Sequence, residues 1–222
     1  MTSKPTDMPI RPARADDLIW YAAYGSNMHA ARFKFYVQGG TPPGSRRTYP
    51  GCRDRRLPRR TLPVMMPGGI YFALESPAWT GGMAMYDPDL PDEAAARAYL
   101  ISRTQFSDLA AQEMYKAPGV DIEVLDDVVA HGRVRLGDGR YETLVYAGDL
   151  DGSPLITFTA PWSSADVALN PPVAPYLAML ASGLRESHRW DVEQITAYLG
   201  KRPGVAGIWA PADLEDLVKA AL

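Results

Sequence analysis

The apolar run Ile19, Trp20, Tyr21, Ala22, Ala23, Tyr24 stops abruptly on Gly25, Ser26, Asn27 and Met28. Aromatic and β-branched residues favour an extended strand, and a small polar turn is what ends one. Glycine adopts backbone conformations that other residues resist, and Ser and Asn side chains bond to nearby main chain. Such a turn therefore suits a cradle that presents N–H groups to an anion or a carbonyl. The same residues also suit an ordinary strand-ending turn, and taken alone they leave both readings open.

The 222 residues are enough for one sizeable core, so a single domain is expected. The first residues, 1–17, carry Pro5, Pro9 and Pro12 among mixed charges and read as a disordered N-terminal arm. Beyond Leu18, clustered β-branched and aromatic residues predict strands over 19–23, 70–74, 82–86, 99–102, 120–124, 131–136 and 141–147. Gly137, Asp138, Gly139 and Arg140 mark a hairpin turn. Helical patterning predicts helices over 92–98, 105–115, 172–189, 191–199 and 213–221. Strands in the middle and helices toward the end make the expected fold class α+β.

Charge narrows the partners. The net charge of −3 and pI near 5.6 give no overall pull toward nucleic acid or a membrane surface. Arg46, Arg47, Arg53, Arg55, Arg56, Arg59 and Arg60 crowd one Pro/Gly-rich stretch, either an anion-binding patch or a solvated loop. The lone Cys52 excludes an intrachain disulfide and fits a reducing compartment; as a nucleophile it is disfavoured by its place in that loop. His29, His131 and His188 are scattered and lack metal-ligand spacing, so no metal is expected. No apolar stretch approaches about 18 residues and the first residues lack a signal-like apolar region, which predicts a cytoplasmic protein.

Phe106, Leu109, Ala110 and Glu113 fall at i, i+3, i+4 and i+7, one face of a helix. A carboxylate on that apolar stripe is desolvated, which raises its pKa and equips it to exchange a proton near neutrality. The alternative is a helix-end glutamate that reaches outward or pairs with Lys116 or Arg103.

Tyr24 to Met28, reading YGSNM, resembles the signature that opens proteins of the gamma-glutamylcyclotransferase-like family. Further segments resemble that family in the same order: Gly69 to Gly82 its paired strands, Phe106 to Glu113 its glutamate-bearing helix, and Tyr176, Leu177 with Gly183 to Glu186 its closing helices. The resemblance spans about Trp20 to Leu199 and implies a mixed sheet or barrel flanked by helices over 18–222. It implies an enzyme in which the substrate's own α-amine attacks its γ-carbonyl, releasing 5-oxoproline and a free amine without a cofactor.

In that reading Glu113 is the acid and base, and Tyr24, Gly25, Ser26 and Asn27 hold the substrate carboxylate or the oxyanion. Tyr146 matches a tyrosine near the family's pocket, or is a core aromatic. Glu75 is a second, lower-ranked carboxylate. The partner is thus a small γ-glutamyl compound, with a non-catalytic anion binder or an amide hydrolase as the alternatives. Segments 39–67 and 87–98 exceed what a compact member needs and are expected as surface insertions.

Overall fold

A computed structural model describes residues 18–42 and 47–222; the expected arm over 1–17 and Arg46 lie outside the described residues. Strand β1 (Leu18–Ala23) sits inside a six-stranded mixed sheet, antiparallel to β5 (Glu93–Ser102) and parallel to β8 (Ser153–Thr159). With β2 (Arg60–Pro67), β6 (Arg133–Arg135) and β7 (Thr143–Leu150) the strand order is β2-β5-β1-β8-β7-β6. A separate pair, β3 (Gly69–Ala73) and β4 (Met83–Asp87), is antiparallel.

The period-2 alternation of β1 divides its side chains between two cores. Trp20 and Ala22 pack with β3, β4 and three C-terminal helices, α4 (Ala174–His188), α5 (Val192–Gly200) and α6 (Pro211–Ala221). Ile19, Tyr21 and Ala23 face α1 (Ala30–Gln38), α2 (Arg103–Glu113) and α3 (Leu125–His131) through Phe33, Phe106, Leu109 and Val128. Both faces of the sheet are covered, which is why β1 is apolar throughout rather than alternating with polar residues. The α+β class and single domain follow from this layering. Among the described residues no helix is long and apolar enough to cross a membrane.

Several elements differ from their sequence reading. Residues 92–98, expected as a helix and a surface insertion, form the first part of β5, where Ala94, Ala95, Ala96 and Ala98 are fully buried. Alanine favours a helix by local propensity, but pairing on both sides with β1 and β2 overrides it, and the small side chains let α4 pack closely on the strand.

The second expected insertion, 39–67, contributes β2, which tolerates Pro63 and Pro67 because it is the outermost strand of the sheet. Residues 120–124 are irregular rather than a strand, and Val120 is exposed. Only 133–135 of the expected strand over 131–136 is extended, because His131 closes α3 and Gly132, at φ 79°, ends it. Helices α1 and α3 and strand β8 were not foreseen, whereas the turn at 137–140 does join the antiparallel β6 and β7.

Candidate active site

Beyond Ala23 the chain leaves the sheet through Tyr24 and Gly25 into a single 3-10 turn, Ser26–Met28. The N–H groups of Met28 and His29 close that turn on the carbonyls of Gly25 and Ser26, at 3.0 and 3.2 Å. Helix α4 buttresses it from behind. Gly183 brings α4 so near that a Cβ there would lie 2.9 Å from that of Met28. Glu186 accepts from the Ala30 N–H at 3.1 Å and from Arg97 at 2.8 Å. The Tyr99 hydroxyl donates to the Asn27 carbonyl at 2.8 Å, fixing the turn from the sheet side.

Gly25 does not sit in the left-handed region that favours glycine. Its φ of −105° is one that any residue adopts, and a Cβ would stand 3.5 Å from the Tyr176 hydroxyl, an ordinary contact. Its contribution is open space beside that hydroxyl. Gly25→Ala is therefore expected to fold with a stability change under about 1 kcal/mol and to weaken ligand binding by narrowing the cleft. Thermal denaturation and a binding isotherm on the same variant check the two halves separately.

Helix α2 begins with a reciprocal cap, in which Ser102 Oγ accepts from the Gln105 N–H and Gln105 Oε1 from the Ser102 N–H, both at 3.1 Å. Gln112 Nε2 donates to the Tyr36 carbonyl at 3.0 Å, and Asp108, fully buried, accepts from the Arg53 and Gly119 N–H groups at 2.8 and 3.2 Å. So anchored, α2 ends with Glu113 at the cleft that the turn borders. Asn27 Nδ2 donates to Glu113 Oε1 at 3.0 Å.

Glu113 is half-buried at the cleft edge, and desolvation of its carboxyl pushes it above its ordinary value, opposed but not cancelled by Tyr36, Arg32, Arg47 and Asn27. Asn27 itself is buried, and its Oδ1 has no hydrogen-bond partner among the described residues. An unpaired buried acceptor costs free energy in the folded protein.

The cleft is narrow, with about 70 Å³ of internal space. Tyr21, Tyr24, Gly25, Ser26, Asn27 and Glu113 all line it, so the structure brings the expected turn and the expected glutamate together. Both tyrosines of β1 and its turn reach it, although Tyr21 belongs to one core and Tyr24 to the other. Tyr24 is held by its hydroxyl, which donates to the Phe158 carbonyl at 2.9 Å.

Tyr146 is a correction. It is not among the lining residues, being a half-buried side chain of β7, in a strand whose register slips between Tyr146 and Asp149. Tyr141 lines the cleft instead. Glu75 is exposed and also absent from the lining.

The sequence reading missed much of the rim. Arg32 on α1 donates through Nε to Ser26 Oγ at 2.9 Å and through a terminal nitrogen to the Tyr49 hydroxyl at 3.1 Å. Trp79 stacks on Tyr176 with centroids 5.4 Å apart, and the Arg32 guanidinium lies 5.5 Å from the Trp79 centroid.

The arginine-rich stretch divides between the two roles open to it. Arg47 lines the cleft, whereas Arg53, Arg56 and Arg60 form ion pairs with Asp108, Asp54 and Asp151. Cys52, expected in a loose loop, is buried and donates toward the Tyr36 carbonyl. Burial and Asp108 push its thiol up to about 12, leaving it protonated and poorly nucleophilic.

No family model matches the sequence. The chain is 30% identical over 200 residues to histone deacetylase 5 of Arabidopsis thaliana, across 82% of this chain and 30% of that protein. It thus spans less than a third of that relative's length. A solved gamma-glutamyl cyclotransferase matches with a TM-score of 0.50 and 15% identity, over 91% of this chain and 99% of the other.

The chain has the gamma-glutamyl cyclotransferase fold. An identity of 15% speaks to architecture alone, and a shared fold does not by itself carry an activity. The chemistry of the site rests on the cleft's own residues. Within the gamma-glutamyl cyclotransferase fold of this chain, those are a glutamate of raised pKa hydrogen-bonded to the strand-ending turn.

Proposed function

We propose that this protein is an enzyme that cyclises γ-glutamyl amines or peptides, releasing 5-oxoproline and the free amine. The observation that carries this reading is the 3.0 Å hydrogen bond from Asn27 to Glu113 at the cleft, on a carboxylate that burial makes more basic than usual. The partner is a small molecule. Its glutamyl group bends so that the α-amine approaches the γ-carbonyl, and holding that bend removes most of the entropic cost of ring closure.

The α-ammonium gives a proton to Glu113, and the freed amine attacks the γ-carbon to form the lactam C–N bond. The carbonyl electron pair moves onto oxygen. On its return the original C–N bond breaks as protonated Glu113 delivers that proton to the departing nitrogen. The ring nitrogen, which carries two hydrogens after attack, passes its surplus proton through Glu113 to the released amine, which leaves as an ammonium. No water is consumed and no group outside the substrate and Glu113 is needed.

Among the described residues, the N–H groups of Gly25, Ser26 and Asn27 are not used by the turn's own bonds, and they suit the substrate carboxylate or the oxyanion. Incubation with a panel of γ-glutamyl amines, read by mass spectrometry, tests the reading. It expects 5-oxoproline from at least one of them; free glutamate alone would assign an amide hydrolase, and no product a binding protein.

A further inference from the structure

A second hollow lies beside the cleft, beneath α1. Phe35, Pro42 and Met179 line it, and it adjoins the cleft across the residues both share, among them Arg32, Tyr49 and Trp79, which form the neck between them. Phe35 and Met179 are only half-buried, leaving apolar surface open to an occupant. Among the described residues no carboxylate lines the hollow; besides His29, its ionisable side chains are the guanidiniums of Arg32 and Arg47 and the Tyr49 hydroxyl. Arg32 is fixed at the neck by Ser26 and Tyr49, at 2.9 and 3.1 Å.

We propose that this hollow holds the leaving group, and that it selects γ-glutamyl compounds whose released amine is an amino acid with a large apolar side chain. The inference rests on Glu113 being the proton carrier. With the breaking C–N bond beside Glu113, the departing nitrogen stands at the neck. In an amino acid the carboxylate lies two bonds beyond that nitrogen, which brings it to the guanidiniums, and the side chain continues into the hollow. A cationic amine would lose its hydration there and meet only like charge. On the other flank, Glu113 and Tyr115 border a recess that carries Asp138, Arg140 and Glu142, whose mixed charges suit a cationic leaving group instead.

The test compares γ-glutamylphenylalanine, γ-glutamylglycine and the γ-glutamyl derivative of a diamine. The phenylalanine compound is expected to exceed the glycine compound in kcat/KM by roughly 10- to 100-fold, the effect of burying one large apolar side chain. Met179→Trp, which fills the hollow, is expected to bring that ratio toward one. Equal kcat/KM for the two, or preference for the diamine compound, overturns the inference and leaves the role of Glu113 intact.

Absence of 5-oxoproline from all three overturns the role of Glu113 instead. Dissociation constants of the same compounds for Glu113→Gln, measured by calorimetry, then judge the hollow alone. Tighter binding of the phenylalanine compound supports it, and equal binding overturns it.

Discussion

Glu113→Gln is expected to lower kcat by about 10²- to 10⁴-fold, the range lost with a positioned acid–base group, while affinity for substrate changes little. The amide has nearly the shape of the carboxylate and still accepts from Asn27 Nδ2, so the cleft keeps its form. What it loses is the capacity to carry a proton from the α-ammonium to the leaving nitrogen. In the unsubstituted protein, kcat/KM should fall on the acid side as Glu113 becomes protonated. Because burial raises that pKa, the fall begins above the ordinary carboxylate range, and residual activity in the variant should lack that limb.

The same substitution is expected to stabilise the fold. Below the pKa of Glu113 in the unfolded chain, near 4.3, the carboxyl is neutral in both states and contributes nothing. As pH rises from there to the higher folded-state value, the native protein keeps a proton that the unfolded chain has released, so stability falls. The penalty persists at every higher pH. Glu113→Gln has no such titration, and its Tm should exceed that of the unsubstituted protein at neutral pH and approach it near pH 4. A Tm difference that grows as pH falls would contradict the burial of this carboxyl.

Gly82→Ala is expected to be the more damaging change to structure, at about 3 kcal/mol or more, beyond the usual cost of overpacking. A Cβ at Gly82 would stand 1.8 Å from the Asn170 carbonyl oxygen and 2.7 Å from its carbon. These are backbone atoms, fixed by the Gly82 N–H donating to the Pro171 carbonyl at 2.9 Å and by Asn170 Nδ2 donating to the Leu74 carbonyl at 2.6 Å. Either the loop before α4 or the start of β4 must move, and both lead straight into residues of the cleft, Tyr176 in α4 and Ala84 in β4. At 2–4 °C per kcal/mol for a domain of this size, Tm should fall by roughly 10 °C. The contrast with Gly25, whose added Cβ meets only an ordinary contact, separates a glycine required by the fold from one that keeps the site open.

The two halves of the candidate site were visible as local patterns, a turn that ends an apolar strand and Glu113 in helical phase with Phe106, Leu109 and Ala110. Each pattern also fitted a purely structural role, and only the resemblance joined them. Arg32, Trp79 and Tyr176 were not assigned to it because no local period marks a residue that converges from α1, from the β3–β4 connection or from α4. Tyr146 entered the reading through the resemblance alone; its place in β7, half-buried and packed on the core beside α3, fits the core-aromatic alternative.

The alanine run 94–98 illustrates the converse. Its composition speaks for a helix, and only the pairing of β5 on both edges, a contact between distant segments, makes it a strand. Arg60 and the two prolines of β2 likewise hid an outermost strand, where charge and proline are tolerated.

Product mass from a γ-glutamyl amine incubated in ¹⁸O-enriched water tests the proton-shuttle account most directly. Intramolecular attack consumes no water, so the account predicts unlabelled 5-oxoproline with the unsubstituted protein and its near-disappearance with Glu113→Gln. Glutamate carrying one ¹⁸O, or unlabelled 5-oxoproline formed equally fast by Glu113→Gln, would contradict it.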